Sequence, residues 1–271
     1  MLRQVLVVLI GGLAYSVLQG IIGGLLLSKV PPPPADAGPF FLASSILAVA
    51  LGVIVARRLP WRGWRRVAAL FAISWGMQAN NLAEAVFFSL DIPRGVLPLL
   101  FANSFGAAIA FAAVVDRLSP AATPANPPAE PRTPGSWIAR IAACDLGYVV
   151  AYMTAGMAVW PFVQWFYSTR PLPDGRLVIA MQLLRGLVFT AIVALLARTL
   201  VLARTGRAVL AGLTLAVLGG VVPLLPPNPF MPAGIRFPHM IEVGVSNLLW
   251  GFGAALLLSA SARRDSPAAA A

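Results

Sequence analysis

Between Val5 and Leu27 the chain carries no charged side chain, and comparable apolar blocks recur along its length. A run of about 18 or more apolar residues is the signature of a helix that crosses a bilayer. The blocks lie at 38–56, 67–90, 95–115, 137–167, 177–197, 208–225 and 240–259. With the first, they predict an all-α polytopic membrane helix bundle of about eight transmembrane helices. Transmembrane β-strands would instead show short segments of alternating polarity. Helices are the remaining way to satisfy backbone groups in lipid.

Composition excludes the main soluble alternatives. Only 11% of the 271 residues are charged, against about 25% in a soluble domain. The net charge of +11 comes from arginines in short loops, with no basic stripe carrying interleaved aromatics. It is therefore read as a topology signal and an anionic-lipid contact rather than a nucleic-acid surface. The partners expected are a lipid bilayer and a small-molecule solute, with no nucleic acid; the oligomeric state is left open. The single cysteine, Cys144, forms no internal disulfide and belongs to no zinc spacing. The first block is too long for a signal peptide and lacks a small-residue cleavage site, so it reads as a retained span.

Basic residues flanking spans favour the cytoplasm. Arg3, Arg57, Arg58, Arg62, Arg65, Arg66, Arg117, Arg132, Arg140, Arg198, Arg204, Arg207, Arg263 and Arg264 fall on one side. Lys29, Arg94, Arg170, Arg176 and Arg236 fall on the other. This bias, roughly threefold, places both termini in the cytoplasm of a multi-pass cell-membrane protein. The outer loops are then the proline-rich ones, VPPPPADAGP, DIPRGVLP, STRPLPDG and PPNPFMPAGIRFPH.

The first and fifth blocks resemble each other. LAYSVLQGIIGG, from Leu13, aligns without gaps to LGYVVAYMTAGM, from Leu146. The third and seventh blocks each follow a basic loop, and the fourth and eighth share an Asn near small residues, in FANSFGAA and VSNLLWGFGAA. Two parallel four-helix repeats follow as an expectation: an N-terminal unit at 1–118, a proline-rich cytoplasmic linker at 119–136, a C-terminal unit at 137–260 and a disordered tail at 261–271. Gly20 and Gly24, a G-x-x-x-G pair, with Gly251 and Gly253, provide smooth surfaces for packing within the molecule. Pro161 is placed to kink the fifth block.

An ionisable residue inside a span is costly and marks a candidate functional site. Glu84, Asp145, Arg185 and Glu242 are such residues, and His239 stands at a span edge. At a rise of about 1.5 Å per residue, Glu84 lies roughly 9 Å, Arg185 roughly 12 Å and Glu242 roughly 6 Å from the outer ends of their blocks. Asn80 and Asn81 precede Glu84, Gln182 precedes Arg185 by three, His239 precedes Glu242 by three, and Asn103 and Asn247 sit in the paired fourth and eighth blocks. Asn80, Asn81, Glu84, Gln182, Arg185, His239, Glu242 and Asn247 are the candidate ligand-binding or proton-coupling residues. Two readings of them stand side by side: a buried ion pair satisfied by amides, or a polar cavity open to the outside. Asp145 is placed near the cytoplasmic end of its span, paired with Arg140 or facing water.

Three function classes remain. A small-solute transporter or permease, with its polar site in the outer third of the bilayer, leads. An intramembrane enzyme with a His/Glu site is the alternative; the i, i+3 pair His239 and Glu242 could hold a metal weakly, but no G-x-S-x-G, P-loop, Rossmann or H-E-x-x-H motif is present and no cofactor is implied. A membrane scaffold or accessory subunit is the third.

Overall fold

The computed structural model describes residues 2–28, 30–88, 92, 94–120 and 133–259. Residues 121–132 of the expected linker, with Arg132, the whole of the expected tail, with Arg263 and Arg264, and Lys29 lie outside them. Among the described residues there are eight long helices: α1 (Leu2–Leu26), α2 (Ala37–Ala56), α3 (Trp64–Phe87), α4 (Leu97–Leu118), α5 (Pro134–Tyr167), α6 (Gly175–Thr199), α7 (Arg204–Leu224) and α8 (Ala233–Leu258). Seven are long and apolar enough to cross a membrane. The exception, α3, is as long but carries Arg65, Arg66, Asn80, Asn81 and Glu84. The chain is an all-α, multi-pass membrane bundle.

Large apolar side chains cover the outside, such as Ile10 on α1, Leu146 on α5 and Leu249 on α8. This is the arrangement hydrocarbon solvent favours. Within the first four helices, α1 packs on α2 and α4, and α4 on α3. Within the last four, α5 packs on α6 and α8, and α8 on α7. The two sets meet where α3 lies against α6 and where α2 and α3 touch α7.

Several helices approach closely at glycine. A Cβ on Gly212 of α7 would stand 2.6 Å from the Leu248 carbonyl oxygen of α8, and Gly251 packs back on the Gly212 Cα. Gly20, Gly24 and Gly253 have nothing within 4 Å, so the expected packing surface at the G-x-x-x-G pair is not used within the molecule. Its place on α1 is taken by Gly11 and Gly12, which receive Leu118 and Ile46.

The last helix differs from its expected start. It begins at Ala233, seven residues before the block, and runs through Pro238. AGIRFPH reads as loop because of its proline and arginine. Arg236 is nevertheless buried, with its guanidinium 5.1 Å from the Phe237 ring. His239 is therefore inside a helix and not at a span edge. Glu242 lies nine residues in, about 14 Å from the helix start rather than 6 Å.

The second half of α7, Leu215–Val221, is a π-helix, followed by Pro223. Proline has no N–H to give the Gly219 carbonyl four residues back. Wider turns of this kind concentrate at functional sites.

Candidate functional site

Five helices, α3, α5, α6 (through Val178), α7 and α8, converge on a cavity of about 400 Å³ at the end of the bundle that carries the loop after α5. Its walls include Asn81 and Glu84 from α3, Tyr152, Trp160 and Tyr167 from α5, Gly219 and Pro223 from α7, and His239 and Glu242 from α8. Leu172 and Pro173, from the loop after α5, close one side. The size and largely apolar lining suit a small organic ligand.

Arg185 of α6 lies behind this wall. Its side chain is 3% exposed, while that of Glu84, its ion-pair partner, is 20% exposed. Arg185 Nη1 also donates to Gln182 Oε1 at 2.8 Å, and Nη2 to Asn81 Oδ1 at 3.3 Å. Gln182 Nε2 donates to Glu84 Oε1 at 3.2 Å, and Tyr152 lines the cavity beside Glu84. The guanidinium is thus held by α3 and by its own helix, and its charge is neutralised by Glu84.

The amides serve the backbone. Asn81 Nδ2 donates to the Gly219 carbonyl at 2.6 Å, replacing the donor that Pro223 lacks. Asn247 Nδ2 reaches the Leu215 carbonyl at 3.5 Å, at the start of the same π-helix. Asn80 Nδ2 donates to the Arg185 carbonyl at 3.2 Å, joining α3 to α6. Unpaired carbonyls in a membrane interior cost several kcal/mol, about the value of a lost hydrogen bond in hydrocarbon.

On α8, His239 Nδ1 and Glu242 Oε2 are 2.6 Å apart, and His239 Nε2 is 3.0 Å from the Tyr167 hydroxyl. An ionised carboxylate only accepts, so Nδ1–H donates to Glu242, while the direction of the Nε2–Tyr167 hydroxyl hydrogen bond follows the protonation of the ring. Both ring nitrogens are engaged. No group of three metal-ligating side chains forms among the described residues.

The structure therefore brings Asn81, Glu84, His239 and Glu242 onto one cavity. Gln182 and Arg185 are placed behind Glu84, and Asn80 at the α3–α6 contact. Asn247 borders a smaller space beneath, with Tyr148, Tyr152, Arg185, Glu242 and Trp250. Tyr152, Trp160 and Tyr167 are not among the sequence candidates. Tyr152 follows Tyr148 by one helical turn, a signal present in the sequence, whereas Trp160 and Tyr167 resemble ordinary interfacial aromatics.

Asp145 is displaced from its expected setting. It is 8% exposed and does not pair with Arg140, whose Nη1 donates to the Leu257 carbonyl at 2.5 Å. Because α5 is 34 residues long, distance from its first residue is a poor guide to depth.

Compared with protein-family models, curated proteins and solved structures, the chain matches none.

Proposed function

We propose that this chain is a small-solute transporter or permease and that its solute is an organic cation held in the cavity between α3, α5, α6, α7 and α8. One observation carries this reading. Glu242 lines the cavity with no arginine or lysine among the lining residues, beside Glu84, whose charge Arg185 offsets from behind the wall. Trp160, Tyr152 and Tyr167 offer aromatic faces, which attract cations by about 0.5–2 kcal/mol each when positioned over a ring. Trp160 and Tyr167 stack at 6.2 Å.

Reading the bundle as two duplicated halves favours transport. The helix contacts α1–α2, α1–α4 and α3–α4 recur as α5–α6, α5–α8 and α7–α8. Tyr15 meets Phe111 as Tyr148 meets Trp250. Two such halves, with a polar site at their junction, suit alternating access.

The test is binding and uptake of benzyltrimethylammonium by the purified protein in liposomes, read by Trp fluorescence and by accumulation. Glu242→Gln should abolish both without lowering protein abundance. Equal response to benzoate, or loss of abundance alone, overturns the proposal.

A second reading has its own observation. The chain Glu242–His239–Tyr167 has the order of a base that activates a hydroxyl. An enzyme using it would form an adduct on the Tyr167 oxygen, visible by mass spectrometry and absent in Tyr167→Phe. A permease would keep cation binding in that variant.

A further inference from the structure

We propose that Asp145 is a proton-binding site at mid-depth in the bundle, beneath the cavity lined by Glu84 and Glu242. Its depth follows from its neighbours. A Cβ on Gly186 would stand 2.2 Å from Asp145 Oδ1. Gly186 is eleven residues after Gly175 and thirteen before Thr199, so it lies about 16 Å and 20 Å from the ends of α6. On the other side, Trp250 Nε1 donates at 2.9 Å to the carbonyl of Cys144. Asp145 thus sits level with the middle third of α6, buried at its contact with α5.

Its carboxylate is poorly compensated. Oδ1 is buried with no hydrogen-bond partner, and so is Thr190 Oγ1, one turn further along α6. The charged and titratable groups on the packed helices are otherwise engaged or separated. On α5 these are Cys144, Tyr148 and Arg140, the last held by Leu257. On α6 it is Arg185, tied to Glu84. On α8 it is Glu242, tied to His239. An ionised carboxylate so placed costs several kcal/mol, and taking up a proton removes the charge.

Tyr148 lies between Asp145 and the polar space beneath the cavity. Tyr148 packs on Gly186 beside Asp145 and borders the small space under Glu84, Tyr152, Arg185 and Glu242. That space, about 20 Å³, exceeds the roughly 10–15 Å³ that one water needs. A proton from water there passes Tyr148 and binds Asp145 Oδ1, converting carboxylate to carboxylic acid; release is the reverse. Packing alone does not call for an acid here. At the corresponding contact between α1 and α2, Gly12 receives Ile46, with the small and large residues exchanged and no polar side chain.

The test is infrared spectroscopy of the full chain in lipid bilayers. At neutral pH a carboxylic C=O band should be present, shift in D2O and disappear reversibly as pH is raised. The band should be lost in Asp145→Asn and retained in Glu84→Gln. Tyr148→Phe, which keeps Asp145 and the ring, should retain the band and slow its D2O shift. Identical spectra of wild type and Asp145→Asn overturn the proposal. So does a band that neither exchanges nor titrates, or a Tyr148→Phe variant with unchanged exchange. Failure of benzyltrimethylammonium to bind would leave all these readouts intact.

Discussion

The Glu84–Arg185 pair predicts an asymmetric cost of breaking it. Removing one partner of a buried pair strands the other, and the penalty is mostly that of the stranded charge. Glu84→Leu leaves the guanidinium of Arg185, 3% exposed, with only the neutral oxygens of Gln182 and Asn81. That loss should be about 3–5 kcal/mol. Arg185→Met strands Glu84, but this side chain is 20% exposed and lines the cavity, where water can solvate it. Its cost should be nearer 1–3 kcal/mol, about that of an unsatisfied polar group. The double variant leaves no orphan charge and should fall within about 1 kcal/mol of wild type, because replacing a whole buried pair is often close to neutral. The assay is reversible unfolding in mixed micelles with rising SDS, followed by circular dichroism and analysed as a double-mutant cycle. The reasoning is refuted if Arg185→Met costs as much as Glu84→Leu, or if the two single effects add in the double variant.

Two further outcomes follow from packing and topology. Gly212→Ala should destabilise the bundle by about 1–3 kcal/mol through overpacking, since its Cβ would meet the Leu248 carbonyl oxygen at 2.6 Å; Gly253→Ala, facing open space, should stay within about 0.5 kcal/mol in the same unfolding assay. Cys144 is buried, so cysteines introduced at the exposed positions Arg62 and Asp174 report orientation: an impermeant maleimide applied to intact cells should label Asp174→Cys and spare Arg62→Cys, and the reverse pattern would invert the topology.

The helices were legible because hydrocarbon imposes one rule on every span, and the lengths of the apolar blocks record it. Depth was less legible. His239 looked terminal because Arg236 and Pro238 precede it, and only the fold reveals that Arg236 is buried against the bundle. Asp145 looked peripheral because it lies close to the start of α5, yet the contact with Gly186 sets its level. Glu84, His239 and Glu242 stood out because charge is scarce here, and they face one cavity. The roles of Asn81 and Asn247 could not be read from composition. Each answers a carbonyl of the π-helix, and that widening depends on how α7 packs.

The proposed duplication gives a reason to separate function from architecture within the polar cluster. Matching Tyr15 with Tyr148 and Phe111 with Trp250 pairs Asn103 with Glu242, a register that differs from pairing Asn103 with Asn247. In this register a Cβ on Gly23 would stand 3.7 Å from Asn103 Oδ1, as one on Gly156 would stand 3.6 Å from Glu242 Oε1. Likewise Ser45 donates to Gln19 at 3.1 Å where Arg185 lies 5.9 Å from the Tyr152 ring. The first half thus builds the same contacts from neutral side chains. A helix bundle of this shape needs polar groups at those levels, but it does not need charge. The charges of Arg185 and Glu242, together with that of Glu84 from the facing α3, are concentrated on one of two equivalent positions. If they served only to hold helices together, neutral replacements copied from the first half, such as Glu242→Asn, would lower stability and leave the cation affinity of the folded protein unchanged. The proposed function requires stability to survive and binding to be lost.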